Sequence, residues 1–277
     1  MSYKTIINVF LIIAVVSLGV FLVKTRDENN DQSVTLTSIQ PGTIDRIGIY
    51  NADRKEIKFE KRTDGWFMTA PLAVRANTIR IGAMLQMLQT PSFAQLPEAE
   101  HDLQRFELEA PAVSLILNDQ EFYFGGTNPL EGRRYVMIGD TVHLITDGLF
   151  PQLQQRSEFF ISPQLIPEGT LLQSIELPGY VFIFENNKWS GNDDTGISEE
   201  DLDTLITAWQ SATATRIEIL EPAGSMGEVI IHTRTGEVMR FEIQQREPVL
   251  KLTRTDLGIT YDIPADTASD LFPVDHK

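Results

Sequence analysis

I44-D-R-I-G-I-Y-N-A-D-R-K-E-I-K-F-E-K-R-T-D-G-W66 and L172-Q-S-I-E-L-P-G-Y-V-F-I-F-E-N-N-K-W189 are the two stretches that decide the fold. Each reads as a run of alternating apolar and polar residues, a turn, a second alternating run and then a Trp. Alternation with a period of two marks strands with one buried face. Phe59-Glu60 stands 125 residues before Phe184-Glu185, and Trp66 stands 123 residues before Trp189. An amphipathic run follows each Trp, over residues 78–89 and 199–210. The order of strand, strand, Trp and helix therefore occurs twice.

The parallel extends outward from these stretches. V113-S-L-I-L-N-D-Q-E-F-Y-F matches V229-I-I-H-T-R-T-G-E-V-M-R-F as a hairpin. Y135-V-M-I-G-D-T-V-H-L-I-T-D matches L250-K-L-T-R-T-D-L-G-I-T-Y-D as another, and apolar pairs follow at Leu149-Phe150 and Leu271-Phe272. Strands that come in hairpins and outnumber the helices make mainly antiparallel sheets, so the fold class is α+β and not a parallel βαβ architecture. The expected architecture is an N-terminal transmembrane helix followed by two duplicated lobes. Each lobe is a mainly antiparallel sheet of about six strands with one principal helix. The repeats are expected over residues 44–161 and 170–277. The joint between them, F159-F-I-S-P-Q-L-I-P-E-G-T, is broken by two prolines and a glycine and is apolar enough to be packed.

Helix spacing supports this layout. In the first helix Ile79, Ala83, Leu85, Met87 and Leu88 are the expected apolar face, and Pro91 ends it. In the second, Leu202, Leu205, Ile206 and Trp209 form an i, i+3, i+4, i+7 stripe. Ser198 is its expected N-cap, and Glu199, Glu200 and Asp201 occupy the first turn, where the helix dipole favours acids. Trp66 and Trp189 are expected to seal each helix to its sheet.

Residues 6–23, IINVFLIIAVVSLGVFLV, hold no charge, and at about 1.5 Å per residue they just reach across a bilayer core. Lys24 and Arg26 follow at once and no small-residue cleavage site is present, which favours an uncleaved anchor over a signal peptide. Residues 1–26 are thus expected to be tail and anchor, and 27–43 a polar linker. The soluble region is expected on the periplasmic side of a bacterial inner membrane, held by this single pass.

Charge excludes some partners. Lys and Arg number 23 against 39 Asp and Glu, a net of −16. Lys4, Lys24 and Arg26 precede the first acid, Asp27, so 20 basic residues remain against 39 acidic ones beyond the anchor. Such a field repels a phosphate backbone, and no nucleic-acid partner is expected. The chain has no cysteine, which rules out disulfides, thiol catalysis and Cys-type zinc sites.

W66-F-M-T-A-P-L, R105-F-E-L-E-A-P and Y135-V-M-I-G-D-T-V-H-L-I together resemble a bacterial envelope domain family of unknown function. That family occurs in or beside accessory subunits of gliding-motility-type ABC transporters. Its pattern has a Trp with a downstream Pro, a Tyr-Gly-Leu-x-x-Pro element and a Tyr-Val strand before a Gly turn. Here Phe106-Glu107-Leu108 stands where the family has Tyr-Gly-Leu. The resemblance covers most of residues 44–150 and more faintly the second lobe. It implies an envelope accessory protein partnered with transporter subunits or other envelope proteins, and it carries over no catalytic residue.

The residues themselves offer little chemistry. His101, His143, His232 and His276 have no metal-ligand spacing among them, and G224-S-M-G misses the nucleophile elbow by one position. No Walker A or dinucleotide-binding loop is present, and no cofactor or metal is expected. Asp194-Thr195-Gly196 lies in a polar turn with Asn192 and Asp193. It matches neither a paired aspartic-protease site nor a spaced calcium loop. The adjacent Arg133 and Arg134, in the loop G125-G-T-N-P-L-E-G-R-R, are the candidate ligand or partner contacts, set against the simpler reading that they pair with nearby acids. Arg75 and Arg80 are weighed the same way. The expectation is a non-enzymatic, membrane-anchored protein of binding or scaffolding type. The alternative is a hydrolase of an envelope polymer working through acids such as Asp193 and Asp194.

Overall fold

The computed structural model describes residues 34–52, 54, 56–97, 102–192, 197–220 and 224–272. The expected span at 6–23 lies outside these residues. Among the described ones, no helix is long and apolar enough to cross a membrane.

The chain folds mainly into antiparallel sheets with few helices. The first sheet holds β2 (Arg46–Asn51), β3 (Ile57–Arg62), β4 (Gly65–Ala70), β5 (Val74–Arg75), β7 (Ala94–Pro97), β8 (Val113–Leu117), β9 (Gln120–Thr127), β10 (Arg134–Ile138) and β11 (Thr141–Ile145). The second holds β12 (Leu172–Leu177), β13 (Tyr180–Glu185), β14 (Lys188–Gly191), β15 (Arg216–Ile219), β16 (Glu228–Thr233), β17 (Val238–Gln245), β18 (Leu250–Arg254) and β19 (Ile259–Ile263). A small ribbon pairs β1 (Val34–Thr35) with β6 (Pro91–Ser92). The helices are α1 (Thr78–Leu85), α2 (Phe150–Leu153), α3 (Glu199–Ser211) and α4 (Ala265–Asp270).

The strand orders are β5-β4-β3-β2-β8-β9-β10-β11-β7 and β14-β13-β12-β16-β17-β18-β19-β15. With the extra edge strand β5 set aside, the two orders are the same, and in each the main helix follows the third strand. Each lobe has more strands than the six read from sequence, because β7, β14 and β15 are only four residues long.

Register aligns the lobes closely. Ile47 pairs with Phe59 and Leu117, and Ile175 pairs with Phe182 and Ile231. Phe59 therefore corresponds to Phe182, both fully buried, at the same 123-residue spacing as Trp66 and Trp189. Matching Phe59 to Phe184 is two residues out of step. Phe184 instead stacks edge-on against Trp189, with ring centroids 5.4 Å apart.

The helices align as well. Asn77 caps α1 by accepting from the Arg80 N–H, and Ser198 caps α3 by accepting from the Asp201 N–H. Ile81, Met84, Leu85 and Leu88 are buried at the same spacing as Leu202, Leu205, Ile206 and Trp209. Every one of these pairs, caps included, is 121 residues apart. Ile79 is not on the buried face as expected: it is 84% exposed. α1 also ends at Leu85, and residues Gln86–Gln89 continue as a 3-10 turn.

Residues 34–43, part of the expected polar linker, pack on the first lobe. Leu36 is buried and its N–H bonds Thr90 O at 2.8 Å, and Gln89 Nε2 donates to Ile39 O at 3.0 Å. On the far side of the sheet the turn Leu103–Phe106 lies across β9. Glu107 there has φ 57 and ψ 33, a left-handed conformation that glycine adopts without cost. The turn sits so close that a Cβ on Gly125 would come within 2.1 Å of Phe106 O.

Candidate functional site

The seam between the lobes is built from both sides. Phe160, Ile161, Leu165 and Ile166 are buried in it, as the apolar joint in the sequence implied. Its backbone is tied on both sides. Asn77 N donates to Phe160 O at 2.7 Å and Ser162 N to Arg75 O at 3.0 Å on the first lobe. Leu165 N donates to Ala212 O at 3.1 Å and Ala214 N to Pro163 O at 2.8 Å on the second. The connector thus acts as a short strand shared by both lobes. Phe160 meets Phe59 edge-on at 5.6 Å, which ties the seam to the first core.

Arginines fasten this seam. The Arg80 guanidinium lies 3.6 Å from the Phe159 ring centroid and donates to Phe159 O. Burial pulls its pKa below the usual value. Arg75 grips Asp64 Oδ2 and Asp64 O at 2.6 Å each, and with Arg62 it sandwiches the Phe67 ring. Across the seam Arg254 holds Asp256 through two hydrogen bonds, of 2.9 and 2.7 Å. Those bonds keep the Asp256 carboxyl below the usual carboxylate range, against the opposing effect of burial. Tyr261 lies beside them, its phenol pushed up to about 12 by burial.

Two clefts flank the connector. The smaller, about 320 Å³, lies among Arg62, Arg75, Gln164, Glu237, Arg254 and Tyr261. The larger, about 770 Å³, is walled by Asn51, Ala52, Arg54 and Ala112 of the first lobe. Pro151, Gln154, Gln155, Arg156, Glu158 and Phe159 also line it, and Arg216, Ile217 and Glu218 of the second lobe complete it. Sites that take ligands are concave and often lie at such junctions.

The Arg133 and Arg134 pair lies elsewhere, and both side chains are engaged within the fold. Arg134 is buried and holds Asp147 bidentately, Nε to Oδ1 at 2.6 Å and Nη2 to Oδ2 at 2.7 Å. It also donates to Gly125 O and lies 3.5 Å from the Phe150 ring centroid. Arg133 pairs with Glu131 at 3.1 Å and covers the Phe93 ring.

His143 is buried, with Nδ1 3.0 Å from Ser92 Oγ, and burial lowers its pKa. It occupies in the first lobe the register position that Tyr261 holds in the second: Val136 pairs with His143 as Leu252 pairs with Tyr261. His232 lies 3.3 Å from Glu176 on the second sheet. Ser225 Oγ donates to Gly227 O in an exposed turn. Asp193, Asp194, Thr195, Gly196, His101 and His276 lie outside the described residues. Among the described residues, no group of three or more His, Asp or Glu could hold a metal ion.

The pattern of a domain of unknown function, DUF4340, matches residues 66–218, more than half of the chain. The chain belongs to the DUF4340 family. The DUF4340 match runs from Trp66 in β4 to Glu218 in β15, so it contains the connector and the second-lobe wall of the larger cleft, while Asn51, Ala52 and Arg54 of the first-lobe wall lie before it. No curated protein and no solved structure shows a significant match to the chain.

Nothing in the sequence singles out Arg54, Arg156 or Arg216. They are separated by long stretches of chain: Arg54 meets the 154–156 segment within the first lobe through Gln154 O, and the meeting of the two lobes adds Arg216.

Proposed function

We propose that this DUF4340 protein is a membrane-anchored envelope protein of binding or scaffolding type. Residues 6–23 are its single-pass anchor, and its soluble region works on the periplasmic side as two copies of one ancestral lobe. The observation that carries this reading is the cleft of about 770 Å³ whose walls come from both lobes. A surface assembled by two covalently joined lobes suits a partner that both must touch. The cleft offers charged groups of both signs, Arg54, Arg156 and Glu158 among them, which fits a recognition role. The family resemblance adds a class of partner: subunits of an ABC transporter, for which this chain is an accessory protein.

Affinity purification of the full chain from detergent-solubilised membranes tests the proposal. Recovery of a stoichiometric set of envelope proteins, transporter permease or ATPase among them, is expected. Recovery of nothing above an untagged control overturns it. A C-terminal reporter active only in the periplasm is expected to be active, and a silent one overturns the orientation.

A further inference from the structure

The larger cleft is bordered by Arg216, Ile217 and Glu218, three consecutive residues of β15. Successive side chains of a strand point to opposite faces, so a wall that includes every residue is the strand's edge and not one face. β15 is the last strand of its sheet and pairs only with β19. Among the described residues, no other segment hydrogen-bonds to the backbone of residues 216–219. Alternate N–H and C=O groups of that edge are therefore without a backbone partner among the described residues, with the turn Ser157–Phe160 packed beside them.

Proteins usually close or blunt such edges. Here the remaining edges are treated in that way. β5 runs into Ala76, which bridges to Ile161. β14 carries Lys188. β7, the first lobe's counterpart of β15, ends in Pro97, which has no N–H to give. Register places Pro97 where the second lobe has Ile219: Pro97 faces Thr141, and Ile219 faces Ile259. β15 has neither Lys nor Pro and carries two β-branched residues.

Charge selects the occupant. Arg216 is paired with Glu218 at 2.7 Å. Arg54 donates to Gln154 O, and among the described residues neither Arg54 nor Arg156 has a carboxylate partner, in a strongly acidic protein. Glu158 is the single carboxylate of the cleft without a cation partner among the described residues.

We propose that the edge of β15 takes an extended, acidic peptide segment of a partner protein as an added strand, with its carboxylates on Arg54 and Arg156. Strand addition draws affinity from main-chain hydrogen bonds and specificity from alternate side chains. This rests on the binding or scaffolding reading above and gives it a docking mode.

The test is selection of random dodecapeptides against the full chain in lipid nanodiscs, followed by fluorescence anisotropy on the selected sequences. Selected peptides are expected to alternate β-branched with Asp or Glu residues. They should lose at least tenfold in affinity on Arg156→Glu and Arg54→Glu, exposed positions whose exchange leaves the melting temperature unchanged. N-methylation of the peptide backbone is expected to abolish binding at every second position and to spare the positions between. Basic or helical consensus peptides, no enrichment, or affinity indifferent to the arginines would each overturn the proposal. So would displacement of the selected peptide by oligogalacturonate at equal concentration. A free protein that sediments as a dimer with protected β15 amides would overturn it as well. If transporter subunits copurify while these results fail, strand addition falls and the scaffolding reading stands.

Discussion

Replacing Asp147 by Ala isolates the question of what Arg134 is for. The Arg134 side chain is 10% exposed and that of Asp147 24%. Removal of the carboxylate leaves a nearly buried cation with a carbonyl oxygen and the Phe150 ring as its remaining described contacts. Breaking one side of a buried pair costs about 3–5 kcal/mol, and the partial exposure of Asp147 places the expected loss near the lower end, about 3 kcal/mol. If the lobes melt together, this loss corresponds to a fall of about 6–12 °C in melting temperature; if the first lobe melts alone, the fall is about twice as large. Circular dichroism during heating, with urea unfolding at fixed temperature, reads both. The double change Arg134→Met with Asp147→Leu should recover most of the loss, because apolar replacement of a buried pair is often neutral or better. An Asp147→Ala protein within about 0.5 kcal/mol of the parent, the ordinary scatter of surface changes, would refute the structural assignment of Arg134.

Three further changes probe other parts of the account. Phe160→Ala should destabilise by about 3–5 kcal/mol in urea, since the ring is fully buried at the seam against Phe59; a loss under about 1 kcal/mol would mean that the seam is not packed. Gly125→Ala should cost about 1–3 kcal/mol by the same assay, because the new methyl meets a backbone oxygen that cannot swing aside; an unchanged midpoint would remove the close approach of the Leu103–Phe106 turn. His143 has a folded-state pKa below its unfolded value, so the folded protein binds fewer protons and stability falls as pH drops below about 6.5, by at most about 1.4 kcal/mol per pH unit. Urea midpoints at pH 7.5 and 5.0 should therefore differ more for the parent than for His143→Gln, and equal differences would refute the buried neutral imidazole.

Much of the architecture could be read from alternation and from capping. Ser198 with its three acids, and the stripe through Leu202 and Trp209, are local signals, and the structure places them as their spacing implies. Register was harder for a physical reason. Phe182 and Phe184 lie on the same face, and a period-two pattern is unchanged by a shift of two residues, so V-F-I-F fits with either Phe opposite Ile175. Only the cross-strand partners choose between them. In α1 the exposed Ile79 misled because apolar residues crowd both sides of a short helix, whereas Ile81, Met84, Leu85 and Leu88 mark the true face. β7 and β15 have few residues and gain order from their neighbours, and nothing local announces them. The cleft was illegible for the same reason: Arg54, Arg156 and Arg216 come from three separate elements, and their proximity is a property of the assembled seam.

Amide hydrogen exchange at the seam tests most directly that the two like-ordered sheets are joined as one unit. The amides of Asn77, Ser162, Leu165 and Ala214 each donate across it. They should exchange as slowly as core-strand amides, through openings that cost several kcal/mol. Exchange at these four positions near the rate of an exposed loop would show lobes that part freely, and the account of a shared seam and its cleft would then be wrong.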